Sequence, residues 1–367
     1  MSKKLNGLGL PELPIEEFEP EIHDLDDIKD KSGGAKTFAF IGSGQGGGRL
    51  AKAFYDLGYR KTVVFNTANS DLELLDIPNK HKFHVENEGR EGAGKDQNLA
   101  DAAFERRNNE IYDKLREIIG ENIDGIFICV GAAGGTGGGS IHCLARVARD
   151  YMIDNEKIPQ IGFIVALPTR EEEKSPAVSR NATKVMLALD KKVKDEDIST
   201  LVVVDNNRIR KLYPKLTMKQ FWPTINGTVA GLFHIFNVLA VKDSDYTTFD
   251  PVDYFNTVTS PGVMVMGATS ITKFDSPAEI GRAVKNNLEK TLLAEGLDLS
   301  TAKVAACVIV GGDEIFDTVP GLMTNLEYAF STLASMTGEA TVHRGIYCDD
   351  SREKLSVYTL IGGIESD

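Results

Sequence analysis

The chain has 367 residues, 42% hydrophobic and 26% charged, enough to bury a sizeable core and, on length, to form two domains rather than one. These figures exclude a disordered tail protein and a disulfide mini-scaffold. The net charge of −13 argues against a general affinity for nucleic-acid backbones or anionic membranes. Glycine is the deviation, with 35 residues where the usual share of about 7% gives roughly 26.

Residues 1–35 carry nine acidic side chains, four basic ones and three prolines and end in Ser32-Gly33-Gly34, so they read as an acidic arm with a hinge. They contain no apolar run of signal-peptide length. Leu25–Lys31 is expected to form a short helix whose Leu25 and Ile28 dock on the body. From Lys36, β-branched runs alternate with helical segments: KTFAFIG, a glycine turn, RLAKAFYDLG, then KTVVFNTA. Gly125–Gly131, Gln160–Leu167 and Thr200–Val204 continue the pattern. Parallel strands joined by crossover helices follow, predicting a doubly wound, mostly parallel sheet in an α/β domain over residues 36–217.

A central helix is expected over residues 218–243. Its uncharged stretch Phe221–Val241 is long enough to cross a membrane, but Pro223, Asn226, His234 and Asn237 make it a buried helix of a water-soluble fold. Residues 244–259 read as a loop and a helix. After them come strands at Gly262–Gly267, Ala302–Gly311, Thr341–Cys348 and Leu355–Leu360, with helices at Pro277–Leu293 and Gly321–Ser335, so residues 260–367 should form an α+β domain. The cysteines, Cys129, Cys143, Cys307 and Cys348, are far apart, with no metal-ligand spacing, and read as free thiols in a reducing cytosol.

Ile41 to Gly48 (IGSGQGGG) follows a strand and opens a helix. Bare amides and a helix N-terminus make such a turn a phosphate seat. Gly42, Gly44 and Gly47 also spell the dinucleotide fingerprint, which wants an acid at the end of the next strand; Asn66-Thr67 stands there instead. A second loop, Gly131 to Ser140 (GAAGGTGGGS), has six glycines in nine positions, more than packing is expected to require, with Thr136 and Ser140 as hydroxyl donors suited to a di- or triphosphate. The common P-loop GxxxxGK[ST] is absent.

The run Ala133-Gly134-Gly135-Thr136-Gly137-Gly138-Gly139 resembles the signature of the tubulin/FtsZ superfamily. Gly138 stands where Ser, Ala or Thr is usual. The resemblance extends from about Lys36 to Gly363. It makes Gly44, Gln45, Gly46, Gly47 and Arg49 a first nucleotide loop, Asn66 and Thr67 part of a second, and Gly92, Ala93, Gly94 and Lys95 a loop near the γ-phosphate. Gly131, Ala133, Gly134, Gly135, Thr136, Gly137 and Gly138 form the signature loop. Asn206 lies where the family reads guanine.

Trp222 and Asn226 are four apart on one helix face. Taken alone they suit core packing and a polar contact; in the family frame the ring stacks on guanine and the amide pairs with its edge. Glu172 or Glu173 is the candidate for the ribose hydroxyls, with a solvated loop as the plain alternative. GTP/GDP and Mg²⁺ are the implied ligands, and no metal-binding side chain is assigned.

Asp250-Pro251-Val252-Asp253 is a helix start, with an N-cap, proline at N1 and an acid at N3. The resemblance adds a role: Asp250 and Asp253 match the two acids that the family presents to the nucleotide of the adjoining subunit to position the attacking water. Thr248 replaces the family's Asn. Such a head-to-tail contact builds a filament.

Within the superfamily, SDLELL and YAFSTLASMTGEATVHRGIY are most similar to the TubZ group of plasmid and phage segregation proteins. That implies a GTP-dependent filament in the bacterial cytoplasm, plasmid- or phage-encoded, linked to DNA by a separate DNA-binding adaptor. Neither direct nucleic-acid binding nor membrane binding is expected. A long basic tail is common in that group, whereas this chain stops at Gly363-Ile364-Glu365-Ser366-Asp367. The alternatives are a phage-centring filament of the PhuZ type, an FtsZ-like division filament and, outside the cytoskeleton, an NAD(P)-dependent oxidoreductase.

Overall fold

The computed structural model describes residues 31–213, 215–271, 273–274, 276–291, 293–349 and 354–366. The expected acidic arm lies outside them up to residue 30, and so does all but the last residue of its helix. The described chain divides into two compact units, residues 31–230 and 231–366.

In the first unit, elements alternate in the order β1 (Phe38–Ser43), α1 (Gly44–Asp56), β2 (Thr62–Asn66), α2 (Asn69–Glu73), β3 (Lys82–His84), α3 (Gln97–Arg106) and α4 (Asn108–Ile119). Then come β4 (Gly125–Gly131), α5 (Gly135–Gly139), α6 (Ile141–Asp154), β5 (Ile161–Leu167), α7 (Arg170–Glu173), α8 (Pro176–Lys194), β6 (Thr200–Asp205) and α9 (Asn206–Leu212). The six strands are parallel in the order β3-β2-β1-β4-β5-β6. FAFIGS and TVVFN are buried throughout, as expected of parallel strands covered on both faces. Phe40 stacks on Phe54 at 3.8 Å between ring centroids, and Tyr59 meets both rings edge-on. The three-residue β3, paired Val64↔Lys82 to Asn66↔His84, is absent from the sequence reading because KFH has neither the length nor the alternation of a strand signal.

Strand order runs outward from β1 to β3 and then jumps back to β4. Ligands of open α/β sheets bind at such a switch point, beyond the carboxyl ends of the strands. Ser43 pairs with Val130, so the loops leaving β1 and β4 emerge side by side.

The central helix α10 (Met218–Leu239) starts at Thr217. Its carbonyl accepts from Gln220 N and Phe221 N, and its hydroxyl donates to Gln220 Oε1 at 2.9 Å. Among the described residues no helix is long and apolar enough to cross a membrane.

The second unit contains α11 (Pro251–Val258), β7 (Gly262–Ile271), α12 (Pro277–Asn286), β8 (Val304–Gly311), α13 (Asp313–Thr318), α14 (Leu322–Met336), β9 (Thr341–Cys348) and β10 (Leu355–Ile364). Its strands are ordered β7-β10-β8-β9, with β10 antiparallel to β7 and β8, and β8 parallel to β9. The helix expected over Pro277–Leu293 is α-helical only to Asn286 and continues as a π turn, Asn287–Thr291. There the buried Asn287 donates to Val357 O at 3.3 Å.

Candidate functional site

Four loops of the first unit converge beyond the carboxyl ends of β1, β2 and β4. Gly44, the first residue of α1, has φ +70, and a Cβ on it would lie 3.0 Å from Gly137 N. The loop after β2 is tied to the signature helix α5 by a hydroxyl pair, Thr67 Oγ1 to Thr136 Oγ1 at 2.7 Å, both buried. Ser43 and Ser140 form a second such pair at 2.7 Å. Gly92, at φ +81, donates its N–H to Thr67 O at 3.0 Å, which brings the Gly92–Lys95 loop over the second one. Asn181 of α8 closes the ring, its amide donating to Lys95 O at 2.8 Å and Ala133 O at 3.1 Å.

The glycines divide into two kinds, and this corrects the expectation that six in nine exceed packing needs. A Cβ on Gly47 would sit 2.0 Å from Cys129 O; on Gly138, 2.1 Å from Gln97 Nε2; on Gly139, 2.3 Å from Gln97 O. Added to Gly135 it would lie 3.0 Å from Ala93 Cβ, and to Gly137, 3.1 Å from Gly131 O. These glycines let α1 and α5 press against β4, α3 and the Gly92–Lys95 loop. The Gln97 side chain, donating to Ala132 O, Gly134 O and Asn181 O, occupies the space a larger residue at position 138 would need, which accounts for Gly138 there. Gly46, Gly131 and Gly134 have nothing within 3.6 Å of an added Cβ. Those three, half-exposed or exposed beside Gln45 and Ala133, leave the open face that an anion can approach. Arg49 is half-buried and Lys95 exposed.

Asn66 faces inward: its amide donates to Asp71 at 3.2 Å and its carbonyl oxygen accepts from Ala68 N at 3.1 Å. Gln45 donates to the other oxygen of Asp71 at 2.9 Å, joining the first and second loops. Gln97 and Asn181 are thus organising residues that the sequence reading left out, and Asp71 is one that it quoted within SDLELL without a role of its own. A single Asp, Gln or Asn carries no signal by itself, since each acts through partners up to 86 positions away.

Beyond β5 and β6, Asn206 is 4% exposed and donates to Leu167 O at 2.7 Å, while its Oδ1 is buried without a partner among the described residues. A buried acceptor of this kind calls for a donor. Glu172 is occupied as a helix cap: its carboxylate accepts from Thr169 N at 2.7 Å and Thr169 Oγ1 at 2.8 Å in a capping box. Glu173 is exposed. Trp222 and Asn226 are half-exposed near the start of α10, Trp222 edge-on to Phe221 at 5.0 Å. Neither is joined to the loops by a hydrogen bond among the described residues. Also among these residues, no group of three or more His, Cys, Asp or Glu side chains could hold a metal, compatible with a Mg²⁺ that takes its ligands from phosphate oxygens and water.

In the second unit, Asp250 caps α11, accepting from Val252 N and Asp253 N at 2.8 Å each, with Pro251 at N1. Asp253 Oδ1 lies 3.0 Å from His343 Nδ1 of β9. The preceding loop is held by the same strand. Tyr347 OH accepts from Phe249 N at 2.8 Å and donates to Phe249 O at 3.2 Å, and Thr247 O accepts from Ile346 N at 2.8 Å. Burial pushes the Tyr347 phenol above its ordinary pKa. His343 was read from sequence only as part of the YAFSTLASMTGEATVHRGIY segment, with no role of its own; it is 90 positions from its partner.

A model of the Tubulin/FtsZ family GTPase domain matches residues 37–214. The chain is 25% identical over 329 residues to the tubulin-like protein CetZ of Pyrococcus abyssi, covering 88% of this chain and 84% of that one. Among solved structures, it overlays a GTPγS-form protofilament of Bacillus thuringiensis serovar israelensis TubZ with TM-score 0.77 at 19% identity, covering 93% of this chain and 90% of that one. It overlays GTPγS-bound CetZ2 of Haloferax volcanii with TM-score 0.72 at 22% identity, covering 90% and 94%. Residues 37–214 therefore carry a GTPase domain of the Tubulin/FtsZ family, and the chain has the fold of these tubulin-like proteins.

Proposed function

We propose that this protein assembles head to tail into a filament and hydrolyses GTP between neighbouring subunits. The loops around Gly46, Gly131 and Gly134 hold the phosphates, and Asn206 Oδ1 accepts from the guanine edge. Trp222 and Asn226 complete the base pocket, and Asp250 and Asp253 act on the nucleotide of the next subunit. The observation that carries this reading is the start of α11. Two carboxylates stand there at N-cap and N3 with Val252, an apolar side chain 62% exposed, between them. An exposed apolar residue flanked by acids suits burial against a second subunit. Carboxylates there can accept a proton from a water whose oxygen bonds to the γ-phosphorus as the bond to the β–γ bridging oxygen breaks. A Mg²⁺ bound with the nucleotide would neutralise charge that builds up.

GTP turnover measured against protein concentration tests this reading. Turnover should rise above a threshold concentration, and Asp250→Ala should lower it by about a hundredfold or more while nucleotide stays bound. Turnover linear in concentration, or undiminished in the variant, sinks it.

For cargo, the reading is DNA segregation through a separate adaptor. It is supported by the overlay on TubZ and by the resemblance of the SDLELL and YAFSTLASMTGEATVHRGIY segments to that group. The net charge of −13 is the reason an adaptor would be needed. Deleting the gene should raise the fraction of daughter cells that lack the replicon encoding it. Faithful inheritance with altered cell form would favour a filament of another role, a reading to which the 25% identity with CetZ lends weight.

A further inference from the structure

We infer that His343 is a positioning residue for hydrolysis, one that sets the direction of the Asp253 carboxylate. The inference rests on the reading of Asp253 as a catalytic acid. Residues 343, 345 and 347 alternate along β9 and so share one face, and all three act on the segment from Phe249 to Asp253. Tyr347 fixes the backbone of Phe249 at both N and O. A Cβ on Gly345 would stand 3.0 Å from Phe249 Cβ, so glycine there admits the close approach. His343 lies with its ring centroid 6.4 Å from that of Phe249 and bonds Asp253 at 3.0 Å.

The two acids of α11 are consequently constrained by different means. Asp250 spends its carboxylate on two helix N–H groups through one oxygen, the usual work of an N-cap. An acid at N3 commonly turns back to the cap residue's own N–H. Asp253 instead reaches across to His343, with side-chain exposures of 28% and 18%. In the tautomer protonated at Nδ1, His343 donates to Oδ1 and leaves Oδ2 free to accept from a water. Without that donor the carboxylate can rotate about its side-chain torsions, and a misplacement of about 1 Å can lower a rate roughly a hundredfold. The pairing inverts a common arrangement: here the imidazole orients a carboxylate.

The test compares full-length wild type, His343→Ala, His343→Gln and Asp253→Ala. GTP retention, the protein concentration at which filaments sediment with a slowly hydrolysed GTP analogue, and phosphate release per sedimented subunit are measured for each. His343→Ala should keep retention and the assembly threshold while releasing phosphate about tenfold or more slowly. His343→Gln, whose amide can again donate to Asp253, should recover most of the rate. A wild-type rate in His343→Ala alongside a lost rate in Asp253→Ala overturns the inference and leaves the role of Asp253 standing. A wild-type rate in Asp253→Ala overturns that role itself. Should His343→Ala fail to assemble with the analogue, His343→Gln decides: a rate as low as that of Asp253→Ala in normally assembled filaments overturns the inference, and a near-normal rate supports it.

Discussion

The glycine loops of the first unit and the acid loop of the second are both held still, by opposite means. Around α5 the backbone is fixed because side chains are missing: Gly47, Gly138 and Gly139 let main chain rest on Cys129 and Gln97 at distances no Cβ allows. Around Asp250 the backbone is fixed because side chains are present, with Tyr347 and His343 reaching it from one strand. A phosphate seat needs exposed N–H groups and close-packed support beneath them. An acid loop needs carboxylates that project, so its support comes from beside.

Breaking the first means of support should have the largest effect. Gly47→Ala would drive a methyl into the Cys129 carbonyl, backbone that cannot swing aside. We expect a loss of about 3 kcal/mol or more, read as a large fall in unfolding temperature or as insoluble protein. The second unit carries its own acid sensitivity through the buried His234 of α10, whose pKa burial lowers to about 4. The unfolded chain binds that proton near pH 6.5 and the folded one near 4, so stability should fall as pH drops through this window, by about 2 kcal/mol at pH 5. Denaturant titrations at pH 7 and 5 measure it, and His234→Gln should flatten the dependence.

Tyr347→Phe removes both bonds to Phe249 and leaves a buried N–H without its partner, for about 1.5 kcal/mol. If the lateral grip serves the acids, GTP turnover in that variant should drop more than nucleotide retention does. The smallest effect on folding should come from Gly134→Ala. Its φ of −77 and ψ of 163 suit any residue and an added Cβ meets nothing closer than 3.9 Å. Stability should stay within about 0.5 kcal/mol of wild type while GTP retention weakens, because the methyl lies on the open face. Equal stability losses in Gly134→Ala and Gly47→Ala would dissolve the division between supporting and open glycines.

Much of this was legible in the sequence. The β-branched runs located five of the six parallel strands, and Asp250-Pro251-Val252-Asp253 spelled out its own cap, because strand burial and helix capping are local. The division of labour among glycines was not legible, since Gly134 and Gly138 look alike until Gln97 is placed against one of them. Nor were the pairs Thr67–Thr136 and Asp253–His343, 69 and 90 positions apart. Single hydroxyls and imidazoles declare no partner before the strands are ordered. Glu172 stayed ambiguous for the reverse reason: an acidic run near a strand end suits both a ribose and a capping box.

The grip on the acid loop has a consequence for how this chain tolerates insertion and deletion. Because successive residues of a strand face opposite ways, sliding β9 by a single position against β8 would bring Val342, Arg344 and Ile346 beneath Phe249 in place of His343, Gly345 and Tyr347. The pairing Ala306↔His343 and Val308↔Gly345 is thus a phase setting, and α14 and the turn at Gly338 act as the spacer that keeps a distant strand in step with α11.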